Sequence, residues 1–138
     1  VQSKLIPYLN FRDQTREAME FYKSVFGGKL DLQSFKDFGM NVGPDEENKI
    51  MHSMLEADNG ITFMSADTPN DMDYQAGSNI SMSLSGDNEE ELRSYFTKLS
   101  EGGTIIQPLQ KAQWGDTFGM CQDKFGTKWM VDIAPAKA

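Results

Sequence analysis

His52 is the only histidine in this 138-residue chain. Histidine is the side chain whose charge changes nearest neutral pH, so it can act as acid, base or ligand-orienting donor. His52 falls in Ile50–Glu56, which reads as a strand; Asp58-Asn59-Gly60 reads as a turn and residues 61–65 as a second strand. An Asx-Gly pair supplies the positive φ that a tight hairpin needs. Glu56 shares a strand face with His52, so that face carries two donor side chains. A divalent Zn, Ni, Mn or Fe site wants three or four nitrogen or carboxylate donors, and two fall short.

The other reactive side chains invite plainer readings. Cys121 has no histidine beside it in sequence and no helix N-terminus to lower its pKa, so it reads as a buried structural thiol. A single cysteine excludes an intramolecular disulfide and fits a reducing, cytoplasmic setting. Trp114, in the loop Gln113-Trp114-Gly115-Asp116, can cover a ligand by stacking or pin the loop to the core. No glycine-rich phosphate loop and no nucleophile–base–acid pattern occurs; Gly27-Gly28 and Gly102-Gly103 follow helical patterns instead of opening them.

Composition narrows the partners. Thirteen basic against 21 acidic residues give a net charge of −8, which disfavours nucleic acid and anionic membrane surfaces. No apolar run reaches a membrane-spanning length, and no signal-peptide core is visible. Nine methionines are a high count. Thioethers fill irregular cores and line adaptable pockets equally well.

These residues must be positioned by a small set of elements. A strand is expected over 5–11, with Leu9 and Phe11 facing one way and Tyr8 and Asn10 the other. A helix over 14–26 follows, capped by Asp13 or Thr15 and buried through Ala18, Phe21, Tyr22 and Val25. A weaker strand covers 29–37, and 38–49 reads as an exposed loop carrying Pro44 and Asp45-Glu46-Glu47. After the hairpin, 67–77 reads as a linker. The alternation over 79–85 sets Ile80, Met82 and Leu84 against Asn79, Ser81 and Ser83, a strand with one packed and one polar face. Asp87 and Glu90 form a capping-box spacing ahead of a helix buried through Leu92, Tyr95, Phe96 and Leu99. A strand over 104–106, a loop with Pro108 and Trp114, and a closing hairpin complete the chain. In its last strand Trp129, Val131 and Ile133 alternate with Lys128, Met130 and Asp132.

The pattern occurs twice. Gly27-Gly28 and Gly102-Gly103 are 75 residues apart, as are Leu9 and Leu84, whereas Gly60 and Gly126 are 66 apart. One strand–helix–three-strand half cannot close a good core alone, so half-modules 1–66 and 78–134, joined by linker 67–77, are expected to form a single domain over 1–138. The fold class is α+β: two βαβββ modules with helices outside and a mixed-sheet cleft.

Several motifs sharpen this reading: Pro7-Tyr8-Leu9-Asn10-Phe11, the run from Ala18 to Gly28, Met51-His52, Phe63-Met64-Ser65-Ala66-Asp67, Trp114-Gly115-Asp116-Thr117-Phe118-Gly119, and Asp123 through Trp129. Together they resemble the PhnB-like (3-demethylubiquinone methyltransferase-like) branch of the vicinal oxygen chelate superfamily, which includes glyoxalases, extradiol dioxygenases and bleomycin-resistance proteins. The resemblance implies metal ligands near Ile6, His52, Asn79 and Met130. Only His52 is a good ligand in that set, and Asp132, one face-step beyond Met130, is a conceivable substitute.

The expectation is therefore a small-molecule binding protein without the usual metal triad and without a cofactor. Its ligand would meet Tyr8, Asn10, His52, Met54, Asn79, Ser81, Trp114 and Met130, with Ser83 on the same face and His52 the catalytic candidate. The alternatives are a lyase, isomerase or dioxygenase using one divalent metal on His52 and Glu56, and a purely structural dimer module. A methyltransferase fits least, for want of a glycine-rich cofactor loop. The resemblance further implies a homodimer.

Overall fold

The computed structural model describes residues 3–39, 43–44, 46–69, 72–75, 77 and 79–135. Its elements run β1 (Tyr8–Phe11), α1 (Thr15–Phe26), β2 (Lys29–Ser34), β3 (Ile50–Glu56), β4 (Thr62–Asp67), β5 (Met82–Gly86), α2 (Glu89–Ser100), β6 (Thr104–Lys111), β7 (Thr117–Gln122) and β8 (Lys128–Ile133). They divide into two compact units, 1–76 and 77–138. Each holds one helix and one four-stranded mixed sheet, ordered β1-β4-β3-β2 in the first and β5-β8-β7-β6 in the second. The fold is the glyoxalase-like α+β architecture.

The repeat extends to register. Tyr8 pairs with Met64 and Ser83 with Met130 in the parallel ladders, and Met54 pairs with Met64 and Met120 with Met130 in the antiparallel ones. The same offsets govern backbone contact. A Cβ on Gly28 would stand 2.1 Å from the Glu56 carbonyl oxygen, and one on Gly103 would stand 2.1 Å from that of Gln122. Glycine is required at both places because the chain leaving each helix passes directly over a neighbouring strand end.

In unit 1 the helix face contributes Ala18, Met19, Tyr22, Val25 and Phe26 to the core. Tyr22 and Phe26 set their rings edge-on to Phe63 at 5.5 and 6.1 Å, a favoured aromatic geometry. Beneath them Leu55 is buried beside Ser53 and Ser65, whose hydroxyls hydrogen-bond each other at 2.8 Å across β3 and β4. In unit 2, Leu92, Tyr95, Phe96 and Leu99 of α2 bury against a sheet face holding Leu84, Cys121, Trp129, Val131 and Ile133. The buried, free Cys121 and the core position of Trp129 agree with the sequence. Burial pushes the Cys121 thiol pKa up, and the Asp123 charge adds to the effect.

Two turns are held by buried carboxylates. Asp123 accepts from the Phe125 and Thr127 backbone N–H groups and from the Trp129 indole at 2.9, 3.1 and 2.8 Å. Asp67, at the end of β4, accepts from Thr15 N–H at 3.0 Å and Ile50 N–H at 2.8 Å.

Asp67 corrects two expectations. It belongs to a strand, not to the linker, and it satisfies an orphan donor at the start of α1 from a distance of 52 residues. The local cap position, Gln14, makes no side-chain bond, while Asp13 has positive φ and pairs with Lys49 at 2.9 Å. Lys49, expected in an exposed loop, is accordingly buried.

Other boundaries move for local reasons. β1 begins only at Tyr8, where pairing with β4 begins, and β2 ends at Ser34. There Ser34 N–H donates to Asp37 Oδ2 at 2.8 Å while Asp37 N–H donates to Ser34 Oγ at 3.1 Å, a reciprocal turn that outcompetes the ladder. α2 is capped by Asn88, which accepts from Glu91 N–H at 3.1 Å, one residue after the expected Asp87–Glu90 pair. β6 runs on past Pro108 to Lys111 with two register shifts, because an edge strand spares proline the missing donor. Asn79, Ile80 and Ser81 precede β5, and Ile80 is exposed, not packed. Of the expected loop and linker, positions 40–42, 45, 70, 71 and 76 lie outside the described residues, as does the boundary position 78.

Asp67 gives the sharpest stability test. Asp67→Ala leaves two buried backbone donors unpaired, so urea unfolding should show a loss of about 2–4 kcal/mol, with Asp67→Asn closer to wild type. A change under about 0.5 kcal/mol would mean that the carboxylate does not organise the entry to α1.

Candidate functional site

Strand alternation leaves each sheet a second face, opposite its helix. In unit 1 that face carries Tyr8, Met64, Met54 and Asp31 in one row across β1, β4, β3 and β2. The neighbouring positions hold Asn10 beside Ala66, and His52 beside Gln33. Tyr8 and Asn10 are exposed, and His52, Met54 and Met64 are half-buried. Partial burial pushes the Tyr8 phenol pKa up, which keeps it a neutral hydroxyl.

Unit 2 presents the equivalent face. Ser83, Met130, Met120 and Gln107 form one row across β5, β8, β7 and β6, and Ser85, Asp132, Phe118 and Gln110 form the next. The Ser83 and Ser85 hydroxyls lie 3.3 Å apart. Trp114, 64% exposed on the loop between β6 and β7, stands edge-on to Phe118 at 5.9 Å. Both sheets thus put a half-buried methionine pair, Met54–Met64 and Met120–Met130, at matching positions with polar groups around it. Such a surface offers polarisable apolar contact with a few fixed hydrogen-bonding groups.

The structure brings Tyr8, Asn10, His52 and Met54 onto one face of unit 1, and Ser83 and Met130 onto one face of unit 2. Asn79 and Ser81 stand outside the strands. Sequence reading missed Met64, Met120 and Phe118 as members of these faces. Their signal was the 66-residue offset, which carries Met54 onto Met120 and His52 onto Phe118.

It also missed a carboxyl pair. Burial, followed by interaction with the neighbouring Asp116 carboxyl, raises the Asp132 pKa, and Asp132 Oδ1 is buried without a hydrogen-bond partner. Alternation had already placed Asp132 on the Met130 face, but the approach of Asp116 from the β6–β7 loop is tertiary and has no local signature.

The residues do not suit the metal centre that the fold suggests. Among the described residues no three of His, Cys, Asp and Glu come together as a cluster. Glu56 is exposed and stands opposite Lys29, Ile6 and Met130 offer no hard donor, and Ile6 and Asn79 lie ahead of their strands. Nor does the junction of β1 and α1 suit a nucleotide-type methyl donor. It reads Arg12-Asp13-Gln14, without glycine, and the Asp67 carboxylate already holds the first helical N–H.

Comparison with known proteins agrees with this architecture. Residues 3–132 match the family described as 3-demethylubiquinone-9 3-methyltransferase. Protein PA1353 from Pseudomonas aeruginosa is 33% identical with a TM-score of 0.83, covering 98% of this chain and 100% of that one. The PhnB protein from Bacillus cereus, titled a putative 3-demethylubiquinone-9 3-methyltransferase, is 27% identical with a TM-score of 0.77 over 96% and 100% of the two chains. Protein YjdN of Escherichia coli is 26% identical over 140 residues, 94% of each chain.

The carboxyl pair sets a pH dependence. A raised folded-state pKa means that the stability contributed by Asp132 is full below the ordinary aspartate range and is lost as pH rises through the raised value. Asp132→Asn should therefore raise the urea midpoint at pH 7, and the gap should narrow as pH falls below the aspartate range. A gap constant with pH would contradict the pairing. By sequence, register and fold, the chain belongs to the 3-demethylubiquinone-9 3-methyltransferase family, the PhnB-like branch of the vicinal oxygen chelate superfamily.

Proposed function

We propose that this protein binds a small organic molecule on the sheet faces opposite its helices, using thioether and aromatic contact with a few hydrogen-bonding anchors and no metal. One observation carries the reading: half-buried methionine pairs recur at matching positions of both sheets, ringed by polar side chains. In this reading Met54, Met64, Met120 and Met130 supply the apolar surface. On the face of unit 1, His52, Tyr8 and Asn10 orient a ligand; on that of unit 2, Ser83 orients one and Trp114 covers it, with Asn79 and Ser81 contributing from the approach to β5. His52 is the group best suited to move a proton should a reaction follow.

The methyl-transfer activity in the family description receives no support from the residues at the β1–α1 junction. Metal-assisted chemistry on His52 and Glu56 has no third donor among the described residues. Among those residues no helix is long and apolar enough to cross a membrane. A homodimer is part of this proposal, supported by the exposed Ile105 and Ile106 on edge strand β6. So is a cytoplasmic setting, which suits the free, buried Cys121.

The reading is tested with methionine-methyl-labelled protein and a library of small metabolites. Methyl shifts confined to Met54, Met64, Met120 and Met130 are expected with at least one ligand class, and His52→Ala should weaken that binding by about tenfold, the loss of one hydrogen bond to a charged or polar group. A library that shifts no methyl on these faces, or shifts only core Met19, overturns it.

A further inference from the structure

Resting on that ligand-binding reading, we propose that Asp116, Asp132, Trp114 and Phe118 form a subsite for an organic ammonium group, so that the ligand carries a primary, tertiary or quaternary amine. Phe118 lies directly opposite Asp132 across the β7–β8 ladder, and Ser85 flanks Asp132 from β5. Directly opposed residues hold their Cβ atoms about 5 Å apart, so ring and carboxyl share one patch. Trp114 meets the Phe118 ring at 5.9 Å and 64° while staying largely open to solvent. A tryptophan held in that position by an aromatic neighbour, and not by burial, is free to take a second partner.

The electrostatics of the patch are unbalanced. Asp132 Oδ1 is shut off from solvent and has no hydrogen-bond partner. Neither Asp116 nor Asp132 has an ion-pair partner among the described residues, whose salt bridges centre on Lys49 and Arg93. Among the described residues the surrounding strands bring no cation closer. Ser85 faces Asp132 from β5, Phe118 and Met120 face it from β7, and Gln110 stands beyond Phe118 on β6. Lys111 pairs with Thr117 and so points to the other face. Lys128, on the Asp132 face of β8, is four residues away, roughly 13 Å along the strand. A cation seated between the two carboxyls would offset their like-charge repulsion, and the orphan oxygen would gain its partner.

The chemistry of the patch selects the kind of cation. Two carboxyls and one serine hydroxyl are too few for a hard divalent ion, which takes six or more oxygens or several waters. Aromatic faces, in contrast, attract alkylammonium groups and cover their methyl or methylene surface. The chain's net charge of −8 favours the approach of a cation.

The test uses the full chain with benzyltrimethylammonium and benzylamine as cationic probes and benzyl alcohol as the neutral counterpart. Trp114 fluorescence is the readout, with buried Trp129 as an internal reference that Trp114→Phe isolates. Both cations should quench Trp114 saturably at pH 7.5. Binding should weaken about tenfold for benzyl alcohol, for Asp132→Asn and for Asp116→Asn. Far-UV circular dichroism confirms that each variant is folded.

Equal affinity for alcohol and amine, or retention of cation binding in both variants, overturns the subsite. Competition by equimolar calcium chloride does so too, since it assigns the pair to an inorganic ion. If neither cation binds while other compounds still shift the open-face methionine methyls, the ammonium subsite falls and the binding reading stands. If nothing shifts them, both fall.

Discussion

A β-sheet has two faces, and each four-stranded sheet in this protein has a single helix. That constraint governs the rest of the structure. The helix-side face is closed by large apolar groups: Tyr22, Phe26 and Phe63 in unit 1, and Phe96, Leu99, Trp129 and Val131 in unit 2. What remains is a second face that cannot be an ordinary core surface and is not an ordinary solvated one. Methionine, serine, histidine and tyrosine are the compromise, being adaptable, partly apolar and tolerant of partial exposure.

Duplication reinforces the arrangement. Strand order, ladder register and the close passage of Gly28 and Gly103 over neighbouring carbonyls are the same in both units. The units diverge where the repeat is not needed for folding. Met54 and Met64 keep their counterparts in Met120 and Met130, whereas His52 is replaced by Phe118 and Ala66 by Asp132 at the same offset. Asp67, which anchors the start of α1 and the start of β3, is replaced by Ile133. Unit 2 instead spends its buried aspartate on the β7–β8 turn through Asp123.

Much of this was legible in the sequence. Period-two alternation placed Trp129, Val131 and Ile133 on one side and Met130 and Asp132 on the other, and the glycine spacings showed the repeat. The position of His52 beside a hairpin was equally local. What the sequence concealed was tertiary. Asp67 caps a helix that begins 52 positions earlier, and Asp116 reaches Asp132 by the folding of a loop. Neither contact leaves a periodic or short-range trace. The polar alternation over 79–85 was misleading at its start, because β8 pairs only from Met82 onward and the preceding residues have no ladder to join.

The central claim is that these open faces recognise an organic ligand without a metal. Metal content is the most direct measurement. Elemental analysis should be made on protein purified without chelators or a metal-affinity tag. The account requires every transition metal to be far below one per chain, with small-molecule binding undiminished after chelator treatment. About one Zn, Ni, Mn or Fe per chain, lost together with binding when His52 is changed to alanine, would contradict it.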